Sequence, residues 1–145
     1  MPPAWAYFDT SVLVKRYVME QGSSRARMLL RRHRFLSSAI APVEIISALC
    51  RRHATGELSQ RDFPAILSRI RKDRAYWELV EVSPLVLGRA EDLVQEAALR
   101  TLDAIHVASA LAFQTLSGVS VPLITGDARQ RDAAGQLGLD VVWVG

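Results

Sequence analysis

Apolar and polar positions change period repeatedly along this chain, and the changes mark its elements. "AWAYF" (4–8) is a short continuous apolar run that stops at Asp9, the pattern of a buried strand. Helical periodicity follows from about Ser11 to Glu20 and from Ser23 to Arg32, and "RFLSS" (34–38) predicts a second, weaker strand. Pro42 stands where a first helical residue belongs and opens a helix that ends near Gly56. Ser59 followed by Asp62 has the spacing of an N-cap signal for a helix to about Arg74. "WELVEV" (77–82) alternates apolar and acidic residues, as a half-exposed strand does. Ser83-Pro84 begins a helix to about Leu99, and another spans roughly Leu102 to Leu116. "VPLIT" (121–125), a helix over 128–137 and "DVVWV" (140–144) complete the pattern with two strands around a helix.

Short apolar strands separated by helices require crossover connections. The prediction is an α/β fold, a three-layer α/β/α arrangement with a mainly parallel central sheet. No repeat, linker or low-complexity segment interrupts 1–145, a length that fits one domain.

Composition narrows the class. Residues 104–126 contain no Asp, Glu, Lys or Arg, a length that could span a bilayer. His106, Gln114, several hydroxyls and the helix-breaking "SGVSVP" argue instead for a buried helix, a loop and a buried strand. "MPPAWAYFD" has no basic leader, so no signal peptide is expected. The one cysteine, Cys50, excludes an internal disulfide framework and a cysteine-cluster zinc site. A reducing, cytoplasmic setting follows, with Cys50 packed among its apolar neighbours. The net charge of +3 is modest, but sixteen of the eighteen basic residues are arginines, whose planar fork suits phosphate. Genome composition produces the same bias.

Candidate chemistry comes from the acids. In open parallel sheets ligands bind beyond the carboxyl ends of the strands. Asp9 ends the first strand, Asp127 follows "LIT", Glu44 lies in the first turn after the second strand, and Asp103 begins another helix. Each has a purely structural explanation. Asp9 and Asp127 can cap the helices after them. Glu44 and Asp103 suit the positive end of a helix dipole, with Thr101 available as a cap. Together the acids are harder to dismiss. A carboxylate pair 4 Å apart repels by about 4 kcal/mol at an effective dielectric near 20, so a cluster must protonate, spread or hold a cation. Oxygen-only donors suit Mg²⁺ or Mn²⁺ better than zinc.

Four segments, "YFDTSVLVKRY" (7–17), "APVEIISAL" (41–49), "LDAIHVASAL" (102–111) and "LITGDARQRDAAGQLGLDVV" (123–142), together resemble the PIN-domain ribonucleases, and among them the VapC-type toxins of toxin–antitoxin pairs. The resemblance implies that Asp9, Glu44, Asp103 and Asp127 are the catalytic, metal-binding acids. Thr10, Ser11 and Thr125 fall at its supporting hydroxyl positions, and Asp132 is an extra acid read as surface. It further implies a Mg²⁺- or Mn²⁺-dependent endoribonuclease acting on RNA, a homodimer, and a cognate antitoxin protein as partner.

Arg100 and Arg129, beside the acidic motifs, are the expected phosphate contacts, whereas Arg25, Arg27, Arg31, Arg32 and Arg34 read as a solvated face. His106 lies one turn after Asp103, close enough for acid–base work, yet such a histidine more often packs or bonds a polar neighbour. His33 and His53 read as surface, and Trp5, Trp77 and Trp143 as core or interface. The apolar helices of 41–75 are candidates for a dimer contact.

Competing readings are a receiver-like phospho-acceptor, a two-aspartate phosphatase and a degenerate RNA- or partner-binding module. The first needs a lysine after a late strand, where neither Lys15 nor Lys72 lies. The second needs a carboxylate where Ser11 stands.

Overall fold

The computed structural model describes residues 2–145. Five strands form one sheet: β1 (Trp5–Phe8), β2 (Arg34–Ser38), β3 (Glu78–Val80), β4 (Leu123–Thr125) and β5 (Val141–Trp143), in the order β3-β2-β1-β4-β5. Every neighbouring pair is parallel. The seven helices that make the crossovers are α1 (Thr10–Tyr17), α2 (Ser23–Arg32), α3 (Ala41–Ala54), α4 (Asp62–Asp73), α5 (Pro84–Ala97), α6 (Thr101–Ser117) and α7 (Ala128–Gln136).

β1 is central, and its alternation assigns the two faces of the sheet. Tyr7 points into a core with Leu36, Leu123 and the inner faces of α5 and α6. Ala6 and Phe8 point the other way, onto Ile124 and Ala26 and Leu29 of α2. A third cluster joins Leu13, Val14 and Tyr17 of α1 to Ile45 and Leu49 of α3 and Ile66 and Ile70 of α4. The charge-free stretch becomes the buried length of α6, a left-handed turn at Gly118 and β4. Among the described residues no helix is long and apolar enough to cross a membrane.

Several boundaries are shorter than the pattern predicts. β3 covers only part of 77–82, because its partner β2 ends at Ser38, opposite Val80, and no ladder remains beyond. Pro122 has no N–H to give β4, although its carbonyl still accepts from Tyr7 N–H at 2.9 Å. α1 stops at Tyr17 rather than Glu20, where Val18 turns extended. Pro42 is the second residue of α3, not the first. Thr101 is the first residue of α6 and caps nothing; Arg100 holds the cap position. Cys50 is exposed rather than packed, since the buried stripe of α3 runs through Ala41, Pro42, Ile45 and Leu49 and Cys50 falls off it.

Candidate active site

The strand order reverses at β1. The chain builds β2 and β3 on one side of it, then returns to place β4 and β5 on the other. Such a switch point leaves a crevice at the carboxyl ends of the two central strands. Asp9 follows β1 and Asp127 follows β4, whose residues Phe8 and Ile124 are in register.

Both aspartates do cap helices, as the structural reading anticipates, but each spends one oxygen on it. Asp9 Oδ1 accepts from Ser11 N–H at the start of α1, while Oδ2 accepts from the Thr125 hydroxyl. Asp127 Oδ1 accepts from the N–H groups of Arg129 and Gln130, at 2.9 and 3.1 Å, while Oδ2 faces Arg100 Nη2 at 3.7 Å. Thr125 couples the pair, because its Oγ1 also accepts from Asp127 N–H at 2.9 Å. Asp9 is 1% exposed. Burial pushes its carboxyl above the ordinary aspartate range, against the opposing pull of His106 and of hydrogen bonds from Thr125 and Ser11.

Ser11 Oγ accepts from Gly126 N–H at 3.0 Å and fixes the β4–α7 turn. Only glycine fits there, since a Cβ on Gly126 would stand 2.5 Å from the carbonyl oxygen of Val144.

Glu44, in the first turn of α3, reaches the same rim through Thr10, whose hydroxyl donates to its Oε1 at 2.8 Å. His106 Nε2 lies 2.6 Å from the same oxygen and 3.3 Å from Thr10 Oγ1, and His106 Nδ1 lies 2.8 Å from Tyr7 OH. Burial raises the Tyr7 phenol well above its ordinary value, so it keeps its proton and donates to Nδ1. An ionised carboxylate only accepts, which places the ring's one N–H proton on Nε2, directed at Glu44. His106 is therefore a buried link that orients Glu44.

Asp103 Oδ2 pairs with Arg100 Nε at 3.3 Å and Oδ1 accepts from Gln130 Nε2 at 3.0 Å. Arg100, with its side chain 67% exposed, thus bridges Asp103 and Asp127. Gln130 escaped the sequence reading. It was detectable as a polar residue on the buried stripe that α7 completes with Ala133 and Ala134. Its Oε1 is the one buried side-chain polar atom without a partner among the described residues.

The acids thus share one rim and one chain of contacts, but as separately tied units. Among the described residues no three His, Cys, Asp or Glu side chains are grouped closely enough to hold a metal ion. Their donor chemistry nonetheless fits a hard divalent cation. All are oxygens, and the spot between Asp103 and Asp127 already holds a cationic group.

The other candidates lie apart from this network. Arg129 is exposed on α7, and Asp132 lies at the surface, paired to Arg131 at 3.1 Å. His33 and His53 are half-buried rather than free at the surface. His33 sits 3.0 Å from Leu29 O, and His53 stacks on Phe63 with centroids 4.4 Å apart. Each tryptophan is half-buried, Trp5 beneath Arg34 and Trp143 beneath Arg131.

Comparison with known proteins agrees with this architecture. The PIN domain model matches residues 6–136. The chain is 39% identical to Ribonuclease VapC46 of Mycobacterium tuberculosis (strain ATCC 25618 / H37Rv) over 137 residues, 94% of this chain and 95% of that protein. Among solved structures, a toxin-antitoxin complex from Klebsiella pneumoniae aligns with a TM-score of 0.69 at 23% identity, covering 97% of this chain and 98% of its own. VapBC2 from Rickettsia felis, bound to a DNA fragment from its promoter, aligns at 0.65 and 13%, covering 98% and 99%. These two likenesses speak for the fold. With a family match across almost every element and a curated relative aligned nearly end to end, the chain belongs to the PIN-domain family, among its VapC-type members.

Proposed function

We propose that this chain is a Mg²⁺- or Mn²⁺-dependent endoribonuclease that hydrolyses RNA phosphodiester bonds at the rim bearing Asp9, Glu44, Asp103 and Asp127. It acts as the toxin of a toxin–antitoxin pair in the cytoplasm. One observation supports the reading: Thr125 and Arg100 link Asp9, Asp127 and Asp103 at the switch point of a parallel sheet, and Glu44 is tied to Thr10, the residue after Asp9. The relative named Ribonuclease VapC46 and the general dependence of this family's nucleases on a divalent metal support it.

Asp9, Asp103 and Asp127 would hold the ion, with Glu44 completing the set or orienting a water. When bound, the ion lowers the pKa of a coordinated water and offsets charge that builds on the phosphoryl oxygens. The chain's own residues supply the order. Capping fixes one oxygen of Asp9 and one of Asp127, while Thr125 holds the second oxygen of Asp9 and Arg100 faces the second of Asp127. Thr10 and His106 hold Glu44, and Gln130 holds Asp103. Arg100, exposed to solvent over most of its side chain, is the group that would meet a substrate phosphate, with exposed Arg129 of α7 as a second candidate. An antitoxin partner is in keeping with the toxin–antitoxin complexes among the structural neighbours. A homodimer through α3 and α4 belongs to the same proposal.

The deciding experiment incubates the purified, partner-free chain with total RNA, in Mg²⁺ or in chelator. Fragments that need Mg²⁺ and vanish in Asp9→Asn are expected. No fragments from the wild-type chain, or equal cleavage in chelator, would overturn the reading.

A further inference from the structure

The acidic rim, represented by Glu44 with Arg100 and Gly126, borders a larger opening. It continues between α1 and α3 as a single cleft of about 590 Å³, whose far end is lined by Lys15, Glu20, Arg51 and Arg52. Helical spacing explains why one cleft joins the two ends. On α1, Ser11, Val14 and Lys15 share a face; on α3, so do Glu44, Ser47 and Ala48, Arg51 and Arg52.

The far end is basic and already ordered. Lys15 is only 9% exposed, and its Nζ donates to Gln21 O at 2.7 Å and to Glu20 Oε1 at 3.3 Å. Arg52 Nη1 reaches the other Glu20 oxygen at 2.7 Å. Arg51 Nη1 donates to Ser47 Oγ at 2.8 Å and has no acid partner among the described residues. One carboxylate therefore orients two cations and cannot neutralise the three that line the wall. Groups held in place before a ligand arrives lose less entropy on binding it.

We propose that Lys15, Arg51 and Arg52 form a second phosphate subsite, which holds the RNA backbone downstream or upstream of the bond that is cut. The inference rests on the RNA reading above and extends it to substrate grip. Arg51 stands seven residues along α3 from Glu44, a rise of about 10 Å. That is about three nucleotides at the stacked spacing of roughly 3.4 Å per phosphate, fewer if the strand is extended. An RNA strand along the cleft thus has its reacting phosphate at the acidic end and a neighbouring one at the basic end.

The test measures binding of a single-stranded uridine hexanucleotide to the full chain in chelator, across a salt series. For a single strand, removing the cation opposite one phosphate flattens the slope of log K against log salt by about 0.7. Arg51→Gln/Arg52→Gln should flatten it by about 1.4, and Arg51→Gln alone, which leaves the Glu20 pairs intact, by about 0.7. Arg31→Gln/Arg32→Gln, on exposed α2, should leave it unchanged. With Mg²⁺ present, the cleft double variant should raise KM for RNA with little change in kcat, the mark of weakened uniform binding. A slope unaltered by both cleft variants, or flattened only by the α2 variant, overturns the subsite. The nuclease reading then survives if the wild-type chain still cleaves RNA with Mg²⁺, and falls with the subsite if it does not.

Discussion

Asp9→Asn separates the structural from the chemical share of the acid after β1. Asparagine keeps an oxygen for Ser11 N–H and turns an NH₂ toward Thr125 Oγ1, which already accepts from Asp127 N–H and has a second lone pair. Two charge-assisted hydrogen bonds become neutral ones, a loss of about 1 kcal/mol each. Against this stands the desolvation of an ionised carboxylate at a site 1% exposed, which costs several kcal/mol. The metal-free variant should therefore be as stable as the wild type or more so, by up to about 2 kcal/mol, or some 4–8 °C in Tm for a chain of this size. Its pH dependence has a definite sign. Burial raises the folded-state pKa of Asp9 above the ordinary value of 3.8, so the folded chain holds that proton more tightly than the unfolded one. The stabilisation is fully present below that ordinary value and is lost as pH rises through the raised one. The advantage of the variant should be least near pH 4 and grow from there toward neutrality. A bound cation reverses the order. At a hundred times its Kd it adds about 2.7 kcal/mol to the wild type and little to Asp9→Asn. Thermal melts of both chains, in chelator and in Mg²⁺ or Mn²⁺, give the four curves required. A variant more than about 10 °C less stable in chelator, which is beyond about 3 kcal/mol for such a chain, would make Asp9 chiefly a cap. Equal cation shifts in both chains would remove it from any metal site.

His106→Leu keeps the bulk but strips the partners of Glu44 and of the fully buried Tyr7 hydroxyl; stability should fall by about 2 kcal/mol. That fall is read as a lower urea midpoint at constant m, with slower RNA cleavage as Glu44 loses its orientation, and an unmoved midpoint would refute the link. Arg100→Ala removes the guanidinium that lies between Asp103 and Asp127. Calorimetric titration should show tighter Mn²⁺ binding and cleavage assays a higher KM for RNA; weaker Mn²⁺ binding would mean that Arg100 organises the acids rather than competing with the ion.

The alternation of short apolar runs with helical ones made the layered parallel sheet legible, because crossover connections leave few other solutions. Strand lengths were less legible, because a ladder ends where its partner ends: Val80 marks the limit of β3 only because Ser38 is the last residue of β2. The positions of Asp9 and Asp127 at strand ends could be read from local sequence. The ties among the acids could not, since Thr10–Glu44 and Thr125–Asp9 join residues 34 and 116 positions apart. Cys50 and Thr101 were misjudged for one reason. For each, sequence neighbours stood in for geometry. Cys50 has apolar neighbours along the chain but lies off the buried stripe of α3. α6 starts one residue earlier than its pattern, which moves the cap from Thr101 to Arg100. Gln130 was legible in principle, but one glutamine on a stripe of small residues carries no chemistry until its amide is seen on Asp103.

Capping and catalysis are posed as rival explanations for these acids, yet under the proposed function the first serves the second. A carboxylate that must meet a reacting phosphate has to be fixed closely, and packing of its own short side chain does not do that. Tying one oxygen of Asp9 and one of Asp127 to helix N-termini does, and uses hydrogen bonds that the helices need in any case. The same economy spaces the acids: Thr125 stands between Asp9 and Asp127, Arg100 between Asp127 and Asp103, while Thr10 and His106 hold Glu44 and Gln130 holds Asp103. One group breaks the pattern. Gln130 Oε1 is buried and unpaired, at a cost of about 1–3 kcal/mol, while its amide nitrogen is committed to Asp103. Flipping the amide would only set an oxygen against the Asp103 carboxylate. The same side chain orders Asp103, whose other oxygen pairs with Arg100.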